Sequence, residues 1–218
     1  LRGFVFDLDG TLVDALPDIH ANINRALAAT GHDKQMSIEQ TRPFVGGGAR
    51  LLAAGVLGLA PDHPEVDRLY RTFMDIYAEH PVEKSTLYPG VRETLTALKA
   101  RGVRLGCVTN KPAKARTRVL AGLGLDRLLD YAVSPEDGFA PKPDPGMIAA
   151  CIKAFGLAPS EVAMVGDSDF DMEAGAAAGC GLLVFCRFGY QPLGERWKGR
   201  VQEIDAFGEI LELMDGDD

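Results

Sequence analysis

The stretch "FVFDLDGTLVDALPD", residues 4–18, runs an apolar strand directly into two aspartates, Asp7 and Asp9, one residue apart. Phe4, Val5 and Phe6 are strand formers that belong inside a core, yet they deliver two carboxylates to its rim. Buried unpaired charges cost several kcal/mol. Packing therefore gives no reason for the pair, and something positively charged is expected beside it.

From residue 88 onward, short apolar runs alternate with helical patterns. "VRLGCVT" (103–109), "DYAVS" (130–134), "VAMVG" (162–166) and "GLLVF" (181–185) read as strands, with residues 3–8 as the first. Helices are expected near 90–101, 113–122, 144–156, 170–178 and 206–214. Continuous apolar strands separated by helices predict an α/β fold, a Rossmann-like parallel sheet covered on both faces. Residues 15–85 break the rhythm and read as helices alone, near 16–29, 48–57 and 64–79. In the last, Val66, Leu69, Tyr70, Phe73, Ile76 and Tyr77 form one apolar stripe, read as helix packing against helix. The predicted organisation is an α/β core of residues 1–14 and 86–218, interrupted after its first strand by a helical cap of residues 15–85. The chain leaves the core near Val13–Leu16 and returns near Val82–Pro89.

Composition narrows the function. The 218 residues, 46% hydrophobic and 25% charged, are those of an ordinary globular protein. A net charge of -8 argues against a nucleic-acid partner, which would require a basic face. No apolar run approaches a membrane span. The sequence starts at Leu1 with no succession of signal-peptide type, and a cytoplasmic protein is expected. Cys107, Cys151, Cys180 and Cys186 contain no C-x-x-C pair and read as free thiols. All four histidines fall in the helical segment, so the α/β part holds no histidine triad or metal cluster, and only His20, close after the first loop, bears watching. The terminal "DGDD" reads as a frayed tail.

Parallel α/β sheets bind ligands beyond the carboxyl ends of their strands, and those ends are polar here. "CVTNKP" places Thr109 and Asn110 at one strand end, and "FAPKPDP" places Lys142 in a proline-stiffened loop. "VGDSDFDMEAGAAAG" places Asp167 at a third end and Asp171 on the first turn of the next helix. Four carboxylates with one lysine suit Mg²⁺, which prefers oxygen ligands. Asp7 can then act as a nucleophile toward phosphorus. Mg²⁺ and Lys142 would neutralise the phosphoryl oxygens and the Thr109 hydroxyl would hydrogen-bond one of them. Gly10 leaves steric room beside the phosphate.

The order D-x-D-G-T, T-N, a loop lysine and G-D-x-x-x-D resembles the haloacid dehalogenase superfamily over essentially the whole chain. The resemblance implies a Rossmann-like core with a helical cap after the first strand. It implies Asp7 as nucleophile and Asp9 as general acid, then base. Asp7 and Asp167 would bind Mg²⁺ through side chains, Asp9 through its backbone carbonyl, and Asp171 through water. Dehalogenases of the superfamily lack the second aspartate, so Asp9 favours phosphoryl transfer. "DGTLVDALPDIHANINRAL", "VGGGARLL" and "FGYQPLGE" further look like bacterial phosphoglycolate phosphatases. In the cap, "GGG" stands where that group more often has a polar residue in the middle.

Gly46, Gly47 and Gly48 precede a helix, so their amides could cradle an anion or simply form a bend. Arg42 and Arg50 flank them; either alone reads as a solvated arginine, though an anionic substrate would want one, and Arg50 is the candidate. The expected protein is a monomeric or homodimeric Mg²⁺-dependent phosphatase of a small phosphorylated substrate, foremost 2-phosphoglycolate. The alternatives are a sugar-phosphate phosphatase, a β-phosphoglucomutase-like mutase, or a catalytically silent binding protein on the same fold.

Overall fold

The computed structural model describes residues 1–215; of the acidic tail expected to fray, residues 216–218 lie outside the described residues. The chain opens with β1 (Gly3–Phe6), β2 (Val13–Asp14) and α1 (Leu16–Ala29). Next come α2 (Ile38–Thr41), α3 (Ala49–Leu57), α4 (Pro64–Glu79) and β3 (Thr86–Leu87). Alternation then begins, with α5 (Val91–Ala100), β4 (Arg104–Val108), α6 (Ala113–Gly122), β5 (Tyr131–Val133) and α7 (Gly146–Phe155). It ends with β6 (Val162–Gly166), α8 (Asp169–Ala177), β7 (Leu182–Cys186), β8 (Gln202–Ile204) and α9 (Glu212–Asp215). The helix expected near 206–214 is a 3₁₀ segment, Phe207–Leu211, leading into α9.

Among the described residues, one sheet has the order β5-β4-β1-β6-β7-β8, and every pairing in it is parallel. The α/β, Rossmann-like expectation is met. β1 is central because all four of its residues are buried, which a strand covered on both faces requires. Its alternation serves the two faces: Phe4 and Phe6 join the cluster that holds Phe207, whereas Val5 joins Met147, Ile148 and Met164 on the side of α7. Later strands add on either side of β1, so its carboxyl end lies at a switch in strand order, where a cleft opens.

Helices α1 to α4 lie between β2 and β3. α4 packs on α1 and α3, and Val66, Leu69, Phe73 and Tyr77 of its stripe are buried. The root of this segment is stitched twice. β2 and β3 form an antiparallel ladder, Val13 against Leu87 and Asp14 against Thr86. Below it, the fully buried Asp18 accepts hydrogen bonds from the amides of Glu83, Lys84 and Ser85 and from the Ser85 hydroxyl, at 2.6–3.0 Å. Such donors hold a buried carboxylate where its charge would otherwise be expensive.

Candidate active site

Asp7 follows β1 and its amide still donates to Val165 O at 2.9 Å, so the strand ladder itself aims the residue. Its carboxylate meets Lys142 Nζ at 2.7 Å. The same ammonium reaches Asp171 Oδ1 at 2.6 Å and Val108 O at 3.0 Å, so all three of its protons have acceptors. Asp167 follows β6 and Asp171 sits on the first turn of α8. One oxygen from each of Asp7, Asp167 and Asp171 lies within 4.8 Å of the others.

Three buried carboxylates face one ammonium there, which leaves negative charge uncompensated. Burial pushes Asp7 up from 3.8 to about 7 even with Lys142 beside it. Burial, reinforced by Asp7 and Asp171, also holds Asp167 well above the usual carboxylate range. An all-oxygen donor set with surplus negative charge fits a hard divalent cation. Two glycines make the approach possible. Gly10, at φ +95°, and Gly189 both lie so close to the Asp167 carboxyl group that a Cβ on either would run into it. Asp167 is held by Tyr190 N at 2.7 Å and Thr11 Oγ1 at 3.3 Å.

Asp9 faces the other way. Its oxygens accept hydrogen bonds from Lys111 Nζ at 3.0 and 2.7 Å, and it borders a cleft between the sheet's carboxyl end and the helical segment. Lys111 is buried. Burial pulls its ammonium down, but Asp9 and then Tyr77 outweigh that and leave it above its ordinary value. The cleft is lined by Asp7, Asp9, Thr109 and Lys111 from the core and by apolar side chains such as Phe44, Leu52 and Phe73 from the helices.

The residues expected from sequence are not all placed as expected. Asp7, Asp167, Asp171 and Lys142 converge, and Thr109 borders the cleft with its oxygen accepting from Lys111 N at 3.1 Å. Asp171 has both oxygens engaged, Oδ2 by the Ser168 amide and hydroxyl. Asn110 reaches the cleft, but its side chain is spent as a brace, donating to Gly46 O and Lys142 O and accepting from Lys142 N. The same side chain thereby positions the Lys142 loop at the edge of the cleft. Arg50 is the correction. It does not line the cleft; α4 captures it, with Asp67 at 2.8 Å and the Tyr70 ring at 4.6 Å. Arg42 is exposed and leans over Tyr190 at 5.9 Å. His20 bonds Met36 O at 2.9 Å, a packing role. Gly46 and Gly48 do border the cleft, at positive φ before α3.

Sequence reasoning missed Lys111, although it stands in the quoted "CVTNKP". It singled out "FGYQPLGE" only for its resemblance and gave no role to Tyr190 there, which does double duty. While its amide holds Asp167, its hydroxyl accepts from Ala15 N at 2.7 Å and Leu16 N at 3.0 Å, donors that the start of α1 leaves free. Beside it, Gln191 Nε2 donates to Val45 O at 3.0 Å and Pro43 O at 3.2 Å, tying the core to the helical segment.

Residues 4–185 match the family model described as haloacid dehalogenase-like hydrolase. The chain is 36% identical to the N-acetylmuramic acid 6-phosphate phosphatase of Pseudomonas aeruginosa, over 99% of this chain and 95% of that protein. It is also 36% identical to the phosphoglycolate phosphatase of Haemophilus influenzae, over 96% of each. Among solved structures, a "predicted phosphoglycolate phosphatase" from Haemophilus somnus superposes with a TM-score of 0.88 at 33% identity, covering 98% of both chains.

Proposed function

The chain belongs to the haloacid dehalogenase-like hydrolases, and from that premise we propose that it hydrolyses 2-phosphoglycolate to glycolate and phosphate through phosphorylation of Asp7. The observation that carries this reading is the division between the paired carboxylates. Both border the cleft, but Asp7 belongs to the acidic cluster with Lys142, whereas Asp9 is paired with Lys111. That division supports Asp7 as the group that attacks phosphorus and Asp9 as the group that serves the departing oxygen.

An Asp7 oxygen bonds to phosphorus as the ester P–O bond breaks, and Asp9 gives the departing oxygen its proton. Asp9 then takes a proton from water. That water's oxygen bonds to phosphorus, the Asp7–phosphorus bond breaks, and phosphate leaves. Lys142 and the Thr109 hydroxyl steady the phosphoryl oxygens. Mg²⁺ would be held by Asp7 and Asp167, with the Asp9 carbonyl, and when bound supplies positive charge against the incoming phosphate. Asp171 supports that site through Ser168 and Lys142. Helices α1 to α4 act as a cap that keeps the cleft dry while Asp7 is phosphorylated. Among the described residues no helix is long and apolar enough to cross a membrane. The four cysteines are free, which supports a reducing, cytoplasmic setting.

Phosphate release from 2-phosphoglycolate, N-acetylmuramic acid 6-phosphate and glucose 6-phosphate tests the reading. The first should show the highest kcat/KM, and a faster sugar ester would overturn the assignment. Asp9→Asn should lower turnover of 2-phosphoglycolate by about 10²–10⁴-fold. The p-nitrophenolate of an aryl ester such as p-nitrophenyl phosphate departs without protonation, so burst kinetics should show that ester's first step much less affected. Equal losses for both would remove Asp9 from the acid's role.

Metal addition is expected to show in stability as well as rate. At Mg²⁺ about 100-fold above Kd, native protein gains about 2.7 kcal/mol, or about 5–10 °C in Tm for a chain of this size. Melting without any Mg²⁺ shift, together with full turnover in excess chelator, would sink the metal assignment.

A further inference from the structure

Two residues of the cleft have no part in the phosphoryl chemistry above. Lys111 is only 5% exposed and Tyr77 only 2%. They come from opposite sides, Lys111 from the loop after β4 and Tyr77 from α4, and meet with the ammonium 4.7 Å from the ring centroid. The Tyr77 hydroxyl is buried and has no hydrogen-bond partner among the described residues. Folded proteins rarely leave such a group unpaired, and this one borders the cleft, where it can bond whatever enters. Burial pushes that hydroxyl up to about 12, so it stays a donor at neutral pH.

Among the described residues that line the cleft, Lys111 is the one cation. Its ammonium has three protons; two are directed at Asp9, and the third, on the side of Tyr77, meets no acceptor in hydrogen-bond geometry among the described residues. Around the pair, Ile19, Phe44, Leu52 and Phe73 offer nothing to a charged group. The leaving oxygen must come to Asp9 to receive its proton. In 2-phosphoglycolate the carboxylate lies one methylene beyond that oxygen, so it falls among the neighbours of Asp9. We infer that Lys111 and Tyr77 form the subsite for the substrate's carboxylate, Lys111 supplying the charge and Tyr77 a hydrogen bond. The inference rests on the reading of the site as a phosphatase of a phosphorylated acid. It moves the specificity contact from Arg50, which α4 sequesters, to the seam between core and helices.

The test compares kcat/KM for 2-phosphoglycolate and for its neutral carboxamide, 2-phosphoglycolamide, in the unmodified protein, Tyr77→Phe and Lys111→Met. The unmodified protein should prefer the acid by about ten- to hundredfold, as hydrogen bonds to a charged group do. Each variant should narrow that preference about tenfold, chiefly through KM for the acid. Any loss shared by both esters reports what removing Lys111 does to Asp9, and it cancels in the ratio. Tyr77→Phe keeps the ring and so the packing of α4, which protects the test should Lys111→Met fold poorly. If both variants keep the full preference while rates fall in parallel, the subsite is wrong and the phosphatase reading stands. If the unmodified protein shows no preference for the acid, the subsite and the phosphorylated-acid reading fall together.

Discussion

Asp7→Asn is expected to cut turnover by at least about 10⁴-fold while the protein stays folded, because the amide cannot take the phosphoryl group. The substitution keeps the volume of a residue that the sheet aims through its own amide, so the loss is chemical. Stability should move the opposite way in chelator. Asp7 has a folded-state value near 7 against an ordinary 3.8, so charging it opposes folding. That opposition is absent below about pH 4, where the group is protonated in both states. It grows as pH rises toward 7 and is full above that. Metal-free Asp7→Asn should therefore melt at or above the unmodified protein at pH 8, and the advantage should vanish by pH 4. Phosphate release with contamination excluded, together with melts at the two pH values, checks both halves. Appreciable residual turnover would end the covalent mechanism, and a lower melting temperature at pH 8 would end the electrostatic account of the cluster.

Lys142→Met should be the next most damaging change, and to fold as well as rate. The ammonium satisfies Asp7, Asp171 and Val108 O at once. Removing it leaves two buried carboxylates without their counter-charge, a class of loss that costs about 3–5 kcal/mol. Turnover should fall by about 10²–10³-fold even where the protein is folded, because a preorganised positive group is missing when charge develops on the phosphoryl oxygens. A divalent cation restores part of the lost charge, so Mg²⁺ should raise the melting temperature of Lys142→Met more than that of the unmodified protein. Denaturant unfolding with and without Mg²⁺ measures this. A variant as stable as the parent in chelator would show that Lys142 is not what holds the cluster together.

The parallel sheet and its carboxyl-end cluster were legible because they depend on local pattern. Three apolar strands, β1, β4 and β6, run into Asp7, Thr109 and Asp167, and a strand end fixes where such a residue points. Helices α1 and α4 were legible to the residue, since a long apolar stripe admits one period. The short strands were not. β8 reads "QEI", an edge segment with little apolar content, and β2 and β3 are two residues each, defined by each other across the helical segment. The helical side of the cleft was the real blind spot. Arg50 stands two residues beyond the glycines in sequence, but the rotation of α3 hands its guanidinium to Asp67 and Tyr70. Tyr77 read as one more member of an apolar stripe, and nothing local reveals that its hydroxyl ends beside Lys111. Helix rotation and helix-to-core docking are set by many distant contacts, and a motif cannot report them.

The segment 187–194 makes the two halves of this protein interdependent as parts for engineering. Through Tyr190 it grips Asp167 and the start of α1, and through Gln191 it grips the backbone before α3. Swapping helices between relatives is the obvious route to a new specificity, but residues 15–85 from another member would arrive without the loop that fits them. The exchangeable module is discontinuous, residues 15–85 grafted together with 187–194.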